Sequence, residues 1–133
     1  MYRIAKRYAF AASHVLEGLG EQHPCARLHG HNYEVDIVAE SDELDAAGVV
    51  VDFSALDDVK HWIDAALDHR HLNDVMEAPP SAEAIAKLIF DWCRANLRPE
   101  IGQRITAVRV WETPRAYAEY QRDPDGHGRI ARP

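Results

Sequence analysis

Two segments near the start of the chain alternate apolar and polar residues with a period of two, and nothing else in the sequence restricts the fold as much. In residues 2–13, Tyr2, Ile4, Tyr8, Phe10 and Ala12 fall on one parity, while Arg3, Arg7 and Ser13 fall on the other. From His29 onward, Tyr33, Val35, Ile37 and Ala39 share a parity, and Asn32, Glu34, Asp36 and Glu40 take the opposite one. Successive side chains of a strand point to opposite faces, so each segment predicts a long strand with one covered face. A loop containing Gly18, Gly20 and Pro24 separates them, which allows an antiparallel pair.

The remainder changes period. Leu56, Val59, Ile63, Ala66 and Leu67 recur at helical spacing, after a Ser54–Asp57 pair that reads as an N-terminal cap. Ser81 is placed to cap a second helix beyond Pro79 and Pro80, with Ile85, Leu88, Ile89, Trp92 and Cys93 as its stripe and an end near Arg98–Pro99. Two more strands fit residues 105–112 and 116–120, joined around Thr113 and Pro114. The order ββααββ predicts an α+β fold, an antiparallel four-stranded sheet with two helices on one face. At 133 residues this is one domain, spanning 1–122, with 123–133 as a mobile tail that lacks apolar patterning.

Charge and cysteine usage narrow the function classes. The formal charge of −7 and the lack of a basic stripe argue against nucleic-acid binding, which draws on clustered Lys and Arg. No run approaches the roughly 20 apolar residues that span a bilayer, and Arg3, Lys6 and Arg7 interrupt the N-terminus. Cys25 and Cys93 are then expected as free thiols in a cytoplasmic protein.

Eight histidines are a surplus. His29 and His31, spaced i, i+2 on a strand, project to one side, and Gly30 adds no bulk between them. His14 ends the first strand on the parity of Phe10 and Ala12. A lone histidine at a strand end is more often just a hydrogen-bonded polar residue. Three converging from neighbouring strands instead predict a three-ligand zinc site with a fourth position open. His23 is a competing ligand, and iron, nickel or copper also suit such a donor set.

Several motifs resemble one family. Cys25-Ala26-Arg27-Leu28-His29-Gly30-His31-Asn32 is similar to the C-x3-H-G-H-N signature of 6-carboxytetrahydropterin synthases, within the 6-pyruvoyl-tetrahydropterin synthase family. Phe10 to His14 resembles its F-x-A-x-H, and Leu67 to Asn73 its L-D-H-x-x-L-N. Pro80 to Glu83 resembles P-T-x-E, with Ser81 for Thr, and Trp111-Glu112-Thr113 resembles W-E-T. Pro79 and Ala84 stand where the family often has Asn, so a changed product is one outcome to test.

The resemblance implies the tunnelling fold, whose subunits join by sheet edges into rings, typically a homohexamer with active sites between subunits. It implies one zinc ion per subunit on His14, His29 and His31, with Cys25 as base. Asp68 would orient His69 for proton transfer, His71 being a nearby competitor, and Glu112 would bind the pterin. The implied reaction converts 7,8-dihydroneopterin triphosphate to 6-carboxy-5,6,7,8-tetrahydropterin, releasing acetaldehyde and triphosphate, on the route to queuosine. The three-residue spacer between Cys25 and His29 favours this branch over pyruvoyl formation. A non-catalytic zinc or pterin-binding module is the alternative of another class, and it has no need of Cys25, Asp68 and His69.

Overall fold

The computed structural model describes residues 1–123; of the tail expected at 123–133, all but the first residue lies outside the described residues. Strands β1 (Tyr2–His14) and β2 (His29–Ser41) pair antiparallel along their whole length, from Tyr2 against Ser41 to His14 against His29. The register follows from the apolar parity. It sets Phe10 against Tyr33, whose rings stack with centroids 4.8 Å apart, and Tyr8 against Val35.

Helix α1 (Asp57–Ala66) follows a 3-10 turn at Phe53–Leu56. The Ser54–Asp57 cap does not form, because the chain makes this tighter turn before the helix. The Asp52 carboxylate accepts from the Ser54 N–H at 2.9 Å, and Asp57 takes Lys6 at 2.6 Å and the Tyr8 hydroxyl at 2.9 Å. Those two bonds tie the helix start to β1. After β3 (Arg70–His71) and the short α2 (Leu72–Val75) comes α3 (Ala82–Asn96), which Ser81 caps through the Ala84 N–H at 3.1 Å. Its buried face is Ile85, Ala86, Ile89, Phe90 and Cys93, and Trp92 stacks on Trp62 of α1. A short α4 (Pro99–Gly102) leads into β4 (Ile105–Thr113) and β5 (Ala116–Gln121).

The sheet order is β3-β1-β2-β4-β5. The four long strands are antiparallel neighbours as anticipated, but β3 adds a fifth strand parallel to β1, so the sheet is mixed. Two residues are too few for periodicity to register. The cause is local: His69 takes φ 59°, a left-handed turn just beyond α1, which lays Arg70 against Ala12 and His71 against Ser13.

The core lies between one sheet face and the helices, where Tyr33, Val35, Ile37, Ile63, Ile85, Ile89, Val108 and Val110 are fully buried. Each such aliphatic side chain contributes about 1.5–3 kcal/mol relative to exposure. Among the described residues, the other sheet face carries no helix and holds itself together with charge. Asp36 accepts from Arg7 at 2.6 and 3.0 Å and from the Trp111 indole at 3.0 Å, while Arg109 grips Glu119 at 2.8 and 3.0 Å. Among the described residues, no helix is long and apolar enough to cross a membrane.

Candidate metal centre

The pairing of β1 with β2 builds the centre. His14 and His29 are direct cross-strand partners, and His31 sits opposite Ala12 on the same face. The three rings approach one another edge to face, with centroids 4.5, 5.1 and 4.9 Å apart. One nitrogen from each falls within 4.8 Å of the others, so the residues together can hold a metal ion. Gly30 permits this closeness of strands, because a Cβ there would stand only 3.2 Å from the Ala12 carbonyl oxygen.

Two backbone carbonyls orient the ligands. His14 Nδ1 lies 2.7 Å from the Pro80 carbonyl oxygen, and His29 Nδ1 lies 2.7 Å from that of Arg27. A carbonyl only accepts, so each Nδ1 carries the proton and each neutral ring presents a bare Nε2. These two Nε2 atoms face each other at 2.8 Å. Opposed lone pairs at that distance repel unless a positive species, a proton or a metal ion, sits with them. The donor set therefore fits a divalent cation, and its imidazole chemistry suits zinc among others.

Burial keeps the third ring available. Desolvation lowers the His31 pKa below the ordinary histidine value, the neighbouring His14 and His29 push the same way, and Glu112 opposes them. His14 is fully buried, and beneath it Tyr33 stays protonated because burial drives its phenol upward. Glu112 Oε1 is 3.8 Å from His14 Nε2. The strand-end carboxylate on β4 thus borders the cluster.

The other predicted residues form separate groups. Asp68 and His69 do meet, with Oδ2 2.8 Å from Nδ1, because the helix ends before them and His69 turns left-handed. Asp68 Oδ1 also accepts from the Ala11 N–H at 2.9 Å, and the Ala11 carbonyl accepts from the His69 N–H at 2.6 Å. The pair is clamped to the edge of β1. Cys25 lies half-buried in a 3-10 turn at Pro24–Ala26, and its carbonyl accepts from Leu16 N–H at 2.9 Å. Among the described residues no hydrogen bond joins Cys25 to the Asp68–His69 pair.

Among the described residues, His23 lies outside the cluster of His14, His29 and His31. Its Nδ1 accepts from the Cys25 N–H at 3.0 Å and caps the cysteine's turn. His71 bonds Ser13, Nδ1 to Oγ, at 2.9 Å. Sequence reasoning missed the Pro80 and Arg27 carbonyls, since every residue carries a carbonyl and only the fold selects which one is used. The Ser13–His71 pair escaped for want of a predicted β3.

A family model for 6-pyruvoyl tetrahydropterin synthase matches residues 3–123. The chain belongs to that family. Among its relatives in this synthase family, the chain is 37% identical over 106 residues to the 6-carboxy-5,6,7,8-tetrahydropterin synthase of Bacillus subtilis, covering 73% of this chain and 70% of the relative. It is 29% identical over 146 residues to the enzyme of the same name from Haemophilus influenzae, covering 91% and 99%. In fold it is similar to the 6-pyruvoyl tetrahydropterin synthase of Caenorhabditis elegans, with a TM-score of 0.78 and 22% identity over 90% of this chain and 94% of that one.

Proposed function

We propose that the chain is a zinc-dependent lyase that converts 7,8-dihydroneopterin triphosphate to 6-carboxy-5,6,7,8-tetrahydropterin, on the route to queuosine. The observation that carries this reading is the set of three imidazoles, two of them locked by backbone carbonyls with their Nε2 atoms turned toward each other, beside the Glu112 carboxylate. Relatives named as 6-carboxy-5,6,7,8-tetrahydropterin synthases support the choice of product.

In this account His14, His29 and His31 hold one zinc ion. When bound, the metal supplies a Lewis acid that stabilises alkoxide or enolate charge on the substrate's side chain. Glu112 accepts paired N–H bonds from the pterin, a planar carboxylate contact that fixes ring orientation. Cys25 removes a proton from the side chain, and its turn is held by His23 and Leu16. His69, oriented by Asp68, moves protons in the same reaction.

The functional unit in this reading is a homo-oligomeric ring, a hexamer by family resemblance, with sites between subunits. Cys25 and the Asp68–His69 pair sit in separate groups of one chain, so a neighbouring copy is a natural source of the missing partner. Strand β5 at one sheet edge and the short β3 at the other leave backbone groups for edge pairing. The location is cytoplasmic, which the two free thiols support.

The test is incubation of zinc-loaded protein with 7,8-dihydroneopterin triphosphate and mass analysis of the products. The reading expects a 6-carboxy pterin and acetaldehyde. A 6-pyruvoyl product, or unchanged substrate, would refute it.

A further inference from the structure

Beside the metal centre, at the β3 edge of the sheet, a cleft of about 460 Å³ opens over Ser13, Gly30 and Asn32 and is flanked by His69, Arg70 and His71; His31 also lines it. Its lining includes no carboxylate, in a chain whose formal charge is −7. The carboxylate adjacent in sequence, Asp68, is occupied by the Ala11 N–H and by His69 Nδ1. Beside the apolar Ala11 and Ala12, the lining sets the Arg70 guanidinium and the His69 and His71 imidazoles together with no carboxylate, a combination that admits an oxyanion.

We propose that this cleft seats the triphosphate of the substrate, with His71 and Arg70 as its contacting residues and Ser13 positioning His71. The proposal rests on the function given above, which it deepens by naming the phosphate subsite. Three features shape it. The parallel pairing of β3 with β1 puts His71 beside Ser13, and the 2.9 Å bond from Ser13 Oγ to Nδ1 fixes the ring. The hydroxyl can either donate to Nδ1 or accept from it; in the tautomer in which it donates, the ring proton sits on Nε2, where it serves as a donor to an anion. Arg70 anchors one nitrogen on the Ala65 carbonyl at the end of α1, at 2.9 Å, and among the described residues its other guanidinium N–H groups remain for a phosphate. Because His31 and His69 border the same cleft, a triphosphate there lies next to both the metal centre and the proton-transfer pair. Its departure as leaving group is then met by fixed donors.

The experiment measures calorimetric binding of inorganic triphosphate to the zinc-loaded protein, and to the Arg70→Gln/His71→Phe and Ser13→Ala variants. The double variant should bind triphosphate about tenfold more weakly or worse, as expected for two lost contacts to a charged group. Ser13→Ala should weaken it by a smaller factor. Affinity for 7,8-dihydroneopterin, which carries no phosphate, should stay unchanged in both. Equal triphosphate affinity in wild type and double variant overturns the proposal, including the case in which triphosphate binds through the metal alone. Equal loss for both ligands also overturns it, since the cleft would then not distinguish phosphate. Formation of the 6-carboxy product by the wild type scores the enzyme reading separately. Product formed with unaltered triphosphate binding in the variants sinks the cleft alone, whereas variant-sensitive binding without any pterin turnover sinks the enzyme reading alone.

Discussion

Replacing Asp68 by Asn tests the proton-transfer pair with almost no change of shape. The native carboxylate accepts twice, from the Ala11 N–H at 2.9 Å and from His69 Nδ1 at 2.8 Å. The Ala11 bond chiefly holds its pKa below the usual carboxylate range; burial opposes this and His69 adds to it. An amide has one oxygen and one NH2 group. If the oxygen keeps the fixed Ala11 N–H, the NH2 faces Nδ1, which must give up its proton to avoid two opposed donors. His69 then holds its proton on Nε2, the wrong tautomer for a base acting from that nitrogen. A lost hydrogen bond to a charged group costs about 1.5–3 kcal/mol, and the exposure of His69 puts the effect at the low end through solvent screening. The expected outcome is a fall in kcat of about tenfold to thirtyfold, with zinc content unchanged because Asp68 does not touch the triad. Turnover of 7,8-dihydroneopterin triphosphate with parallel metal analysis reads both quantities. A fully zinc-loaded variant with kcat within about twofold of wild type would refute the reasoning.

Three further outcomes follow from the same structure. Ser81→Ala removes the cap on the Ala84 N–H and should cost about 1 kcal/mol in urea unfolding; no loss would show that the cap is not formed in solution. Burial pushes the Asp36 carboxyl up, but the bonds from Arg7 and Trp111 and the nearby Arg109 outweigh it and hold it below its ordinary value. Its contribution to stability is therefore present above the unfolded carboxyl pKa of about 3.9 and lost as pH falls through the lower folded value. Wild type should lose stability over that acid window more steeply than Asp36→Asn, and parallel curves contradict the network. The Cys93 thiol, pushed up to about 12 by burial within α3, should resist a thiol reagent at pH 8 until urea is added. Rapid native labelling of Cys93, located by mass spectrometry, would contradict its placement in the core.

The long elements were legible because their signals repeat. Twelve or so alternating residues in each of the first two segments leave one register that buries Phe10, Tyr33 and Val35 together, and that register alone brings His14 opposite His29. The stripe of α3 and its Ser81 cap were equally readable. Short features were not. Strand β3 rests on a left-handed His69, a conformation that no residue pattern demands of a histidine, and the fifth strand and the Ser13–His71 bond both depend on it. Adjacent helical positions would have kept Asp68 and His69 apart; the helix ends at Ala66, so they meet. His23 shows the converse, a histidine whose residue type suggests a ligand while its ring caps the turn of Cys25.

The central claim is that His14, His29 and His31 share one metal ion. Crystals of zinc-loaded protein, measured on either side of the zinc absorption edge, test it directly. The account predicts one anomalous peak per subunit within bonding distance, about 2.0–2.1 Å, of a nitrogen from each of the three rings. A peak elsewhere, or none at full zinc load, would contradict it.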